Sequence, residues 1–72
     1  MKTKVEILEE LIEDQIKASI STEVGQRFYE SKFLKYPERS DFKGEIERLT
    51  QQREDIQENI IIASRLLKEF KK

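Results

Sequence analysis

One pattern constrains this chain more than any other. Phe42, Ile46, Leu49, Arg53, Ile56, Ile60, Ala63, Leu67 and Phe70 follow one another at spacings that alternate between four and three. A 3.5-residue period keeps one narrow face of a helix against a neighbour. The second half of the chain is therefore expected to be one long helix with a coiled-coil-like seam. Arg53 is its only charged member.

A seam needs a partner, and the nearest is the first half of the same chain. The sole proline, Pro37, lies in Tyr36-Pro37-Glu38-Arg39-Ser40-Asp41. Proline disfavours helical geometry in the residue before it, so a first helix should end near Lys35. Ser40 or Asp41 can accept from a free backbone N–H and start the second. The expected architecture is all-α, in one domain over 1–72. A helix over about 3–35 and a helix over about 41–70 flank a connection over about 36–40.

A short connection makes neighbouring helices antiparallel, so facing residue numbers have a nearly constant sum. The first half offers Val5, Leu8, Ile12, Ile16, Ile20, Val24, Phe28 and Leu34. Val5 with Phe70, Leu8 with Leu67 and Ile12 with Ala63 share one sum. Ile16 with Ile60, Ile20 with Ile56 and Leu34 with Phe42 exceed it by one, and Phe28 with Leu49 by two. These residues are expected to line the seam, although a spacing of four turns the row by about 40° per step.

Size makes the hairpin marginal. The chain has 72 residues, and chains of about 60 bury only about 60% of their unfolded surface. It contains no Cys or His, which removes disulfides and a structural zinc site as staples. The 14 basic and 15 acidic residues nearly cancel. Glu6, Glu9, Glu10, Glu13 and Asp14 are expected opposite Arg65, Lys68, Lys71 and Lys72. Arg27, Lys32 and Lys35 should lie near Asp41, Glu45 and Glu47. Each helix thus starts acidic and ends basic, as its dipole favours. No apolar run reaches the length of a membrane span, and no apolar core follows the first residues. A cytoplasmic location is expected.

Three features could carry function. The first is a second apolar stripe: Ile7, Leu11 and Ala18 in the first helix, and Ile61, Ile62 and Leu66 in the second. Near the two termini, a lone hairpin would leave Ile7, Leu11, Ile62 and Leu66 in water. All six form the expected interface, either of a homodimer closing into a four-helix bundle or with a larger helical partner. The second is residues 19–26, rich in Ser, Thr, Val and Gly, where the first helix could kink or break. Glu23 and Arg53 are expected to form a register-setting pair at this level. The third is the aromatic and basic connection end, with Tyr29, Phe33, Lys32, Lys35, Tyr36 and Arg39. Stacking and phosphate contact of this kind serve single-stranded nucleic acids. The plainer alternative is an aromatic cluster closing the hairpin, with Tyr29 and Phe33 its exposed members.

Chemistry has little to work with. Without His or Cys, the usual bases, nucleophiles and soft metal ligands are missing. Glu6, Glu9, Glu10 and Glu13, at helical spacing, are expected to form a solvated face rather than a cation site. No cofactor or metal is expected, no motif is specific to a family, and an enzyme is not expected. The sequence points to a small regulatory or adaptor module acting through an apolar helical face. The alternatives are a homodimeric RNA- or DNA-binding bundle, and an assembly or scaffolding factor of a larger particle such as that of a virus or mobile element.

Overall fold

The computed structural model describes residues 1–71, so the pairing expected of Lys72 lies outside it. Two helices, α1 (Lys4–Lys35) and α2 (Ser40–Phe70), form a helical hairpin. Its extents are 54 × 17 × 13 Å. Among the described residues there is no strand, and no helix is long and apolar enough to cross a membrane.

The helix ends have local causes. Thr3 caps α1 by accepting from the Glu6 N–H at 3.1 Å, and the Glu6 carboxylate accepts from the Thr3 N–H at 3.4 Å. This reciprocal box satisfies two donors that a helix start leaves free. At the connection, the Arg39 N–H donates to the Tyr36 carbonyl at 3.0 Å. Pro37 sits at the second position of that turn, where its fixed φ is already suited. Ser40 does not cap α2: it is the first helical residue, and the cap position belongs to Arg39, which makes no side-chain cap bond. Asp41 works from inside the first turn, held by two bonds from the Arg39 guanidinium at 3.0 and 2.9 Å.

Cross-helix contacts fix the antiparallel register. The Lys4 ammonium lies over the Phe70 ring, Asn59 donates to Gln15, Arg53 donates to Gln26, and Tyr29 meets Phe42. In α2 the expected seam is the buried one: Phe42, Leu49, Ile56 and Ala63 are buried, and Ile46, Arg53, Ile60 and Leu67 half-buried. Only Phe70, at the end, is exposed.

In α1 the seam departs from expectation. Val5, Leu8 and Ile12 face α2 as anticipated, but the seam then runs through Gln15, Ser19, Thr22, Gln26, Tyr29 and Phe33, with Ala18, Glu23 and Gly25 half-buried beside it. Ile16, Ile20, Val24 and Phe28 are instead 46–64% exposed, and Leu34 is exposed too. The reason is period. The covered set alternates three and four residues and stays on one line, whereas a row spaced by four winds away from a straight neighbour.

Residues 19–26 neither break nor end α1. Thr22, 6% exposed, turns its hydroxyl back onto the Ala18 carbonyl at 2.7 Å. That bond satisfies a polar group the hairpin buries. Gly25 has ordinary helical φ, and a Cβ there would meet Leu49 at 3.6 Å, a normal contact.

These placements predict different costs for two isoleucines. Ile56→Ala should lower stability by about 2–4 kcal/mol in chemical denaturation, as large-to-small core changes do. Ile20→Ala should stay within about 0.5 kcal/mol, as exposed substitutions do. Equal losses would return Ile20 to the seam. Gly44, whose added Cβ would meet nothing within 4 Å, should gain about 0.4–1 kcal/mol as Ala.

Candidate interaction surface

At the open end, where the termini lie, apolar side chains outrun the seam. Leu8 and Ala63 are buried between the helices, and Leu11, Ile62 and Leu66 stand beside them. With Gln15 and Asn59 they line a groove of about 170 Å³. The groove exists because residue 63 of the seam is only an alanine, which leaves a hollow between longer neighbours. Its rim residues Leu11, Ile62 and Leu66, with Ile7 one turn away, are 37–54% exposed.

The six expected interface residues therefore divide. Leu11, Ile62 and Leu66 meet at this groove. Ile7 and half-buried Ala18 share the flank of α1 with Leu11, being four and seven residues from it. Ile61 is exposed but not part of the groove, since neighbouring helical residues point about 100° apart. The exposed row Ile16, Ile20, Val24 and Phe28 was not expected here. Its signal was the run of spacings of four, read as an irregular seam rather than as a surface.

Near mid-length a second groove, of about 270 Å³, is lined by the polar residues Ser19, Gln26, Thr50, Arg53, Glu54 and Gln57. Glu23 and Arg53 do not pair. Arg53 donates to Gln26 Oε1 at 3.0 Å, and Glu23 lies 3.7 Å from Arg27 in its own helix. Gln26 occupies the seam position and Glu23 the one beside its flank. A neutral amide satisfies the guanidinium without desolvating a second charge.

The connection end folds its cations over its own rings. Lys32 Nζ lies 5.0 Å from the Phe28 centroid and 5.6 Å from that of Phe42. Arg39 covers Phe42 at 4.7 Å, and Lys35 lies 5.6 Å from Tyr36. Tyr29 and Phe33 are half-buried rather than exposed, because they continue the seam. Phe28 and Tyr36 are the exposed rings.

Ion pairing is mostly local. Lys71 reaches Glu9 across the hairpin at 4.0 Å, while Lys2 takes Glu10 at 2.7 Å. At the connection end Asp41 and Glu45 pair with Arg39 and Arg48 of their own segment, not with the expected cations of α1. These side chains are exposed or nearly so, and solvent screens each pair, so the pairs add little to stability. Among the described residues no three carboxylates converge as a metal site.

No family model, curated protein or solved structure matches the chain.

One electrostatic effect is measurable. The hydrogen bonds from Arg39 hold the Asp41 carboxyl below its ordinary value, and the free N–H groups of Asp41 and Phe42 add to this. The folded value is lowered, so the pair stabilises the connection above the usual carboxylate range near pH 4. That contribution is lost as pH falls through the lowered value. In a carboxyl NMR titration Asp41 should titrate below an ordinary Asp, and Arg39→Ala should return it there. An ordinary midpoint in the parent chain would show that the pair does not form in solution.

Proposed function

We propose that this protein is a small, non-enzymatic interaction module, with a regulatory or adaptor role. It acts through the apolar flank at its open end, either as a homodimer or on a larger helical partner. The observation that carries this reading is the groove beside Leu11, Ile62 and Leu66, rimmed by large apolar side chains left in water. Burying one such side chain gains about 1.5–3 kcal/mol. A hairpin of two helices has no third layer to supply that burial. A building-block role in a larger assembly would use the same surface.

The nucleic-acid reading has less support. Its cations already cover the hairpin's own rings or bind its own carboxylates. Phosphate contact dominates nucleic-acid affinity, and here glutamates and aspartates are interspersed with the bases. Binding to a single-stranded oligonucleotide that weakens steeply with salt would restore it.

Ile62→Glu places a charge at the groove rim on an exposed position. It should weaken self-association or partner binding at least tenfold while leaving the helical circular dichroism unchanged. Sedimentation and light scattering at tens of micromolar read the first effect. An unchanged mass and binding profile would remove the groove from the interaction surface.

A further inference from the structure

We infer that the open-end groove is filled by Phe28 of a second copy of this chain, with the two α1 helices running antiparallel. The inference rests on the interaction reading above and names its partner and geometry.

It starts from a second heptad on α1. Ile7, Leu11, Asp14, Ala18, Ser21, Gly25 and Phe28 alternate four and three, parallel to the buried seam and on its groove side. The Ile16–Ile20–Val24 row drifts by about 40° per step, so it suits a crossing helix more than one lying alongside over the full length. The heptad keeps to one line, and its residue sizes suit a copy of itself. In one antiparallel register Leu11 faces Phe28 of the second copy, and Ala18 faces Ser21. Asp14 then faces Gly25, and Ile7 lies along the aliphatic stem of Lys32. A twofold axis between the Ala18–Ser21 layers repeats every contact, as an isologous interface requires. Small residues at the centre let the backbones approach, while the large ones meet at both ends.

Three further observations favour a second copy. The groove, about 170 Å³, has the room of a cavity that holds one benzene ring. Phe28 is a ring on the same flank, 54% exposed. Charge selects the direction. Residues 6–14 hold five carboxylates, whereas the stretch that would lie beside them, 25–33, holds Arg27 and Lys32 against Glu30. A parallel pairing of α1 with itself would oppose carboxylates to carboxylates. Area agrees as well. The hairpin exposes 5750 Å², about 1,000 Å² more than the roughly 4,700 Å² of a compact protein of this mass. The extended 54 × 17 × 13 Å shape produces that excess, and it is of the same order as the roughly 800 Å² that one partner buries in a standard interface.

The chain has no Trp and no Cys, so both can report without background. Phe28→Trp should show emission that shifts to the blue as concentration rises from sub-micromolar to 100 µM. Adding Leu11→Glu should abolish that shift. Ala18→Cys and Ser21→Cys chains, mixed and oxidised, should yield a cross-linked heterodimer as the main product. Ser21→Arg, at an exposed position, should reduce the mass from two chains to one with unchanged helicity, and Ser21→Ala should not. A dimer whose mass is insensitive to Ser21→Arg and Phe28→Glu but sensitive to Ile62→Glu would overturn this pairing and leave the interaction reading standing. A wild-type chain that stays monomeric at 100 µM would overturn the self-pairing outright; the binding effect of Ile62→Glu then judges the broader reading separately.

Discussion

Two straight helices share a seam only when both repeat with the same period. Here α2 sets that period, through Phe42, Leu49, Ile56 and Ala63 and the positions between them. The first helix has to present whatever residues it carries at the matching positions. Those residues are apolar at the ends, with Val5, Leu8, Ile12, Tyr29 and Phe33. In the middle they are Gln15, Ser19, Thr22 and Gln26. Everything else follows from that match: a core apolar on one side and polar on the other at mid-length, and an apolar surplus displaced to the outside of α1.

The polar middle is internally satisfied. Thr22 bonds its own helix, Gln26 receives Arg53, and Gln15 receives Asn59. No buried side-chain nitrogen or oxygen among the described residues lacks a partner. Such layers add little net stability, since each bond replaces one to water. The part-buried Arg53–Gln26 bond does discourage slippage, because a shifted register would separate the two groups. The hairpin is thus better specified than it is stabilised. Its exposed apolar side chains form a row and a groove rather than a scatter.

Much of this was legible in the residues. The α2 heptad, the lone proline and the antiparallel sum located both helices to within a residue or so. Ile7, Leu11, Ile62 and Leu66 stood out as apolar residues beyond the seam. The mistaken assignment was the interior of α1. Hydrophobicity at spacings of four resembles an amphipathic face, and over two turns it is one. Over four turns the drift carries it around the helix. The Glu23–Arg53 pairing failed for a related reason: its register sum was one residue off, enough to exchange a seam position for a flank.

The chain alone determined that there are two long helices, where the turn lies, and which face of α2 is covered. These follow from local geometry, namely proline sterics, capping and a 3.5-residue repeat. Only the tertiary structure decided which face of α1 is covered, because that choice is a compromise between hydrophobicity and period. Apolar content favoured Ile16, Ile20, Val24 and Phe28, and the straight neighbour favoured the line through Gln15, Ser19 and Thr22. Period prevailed because a winding row can touch a straight helix only briefly, whereas a matched one touches it at every turn.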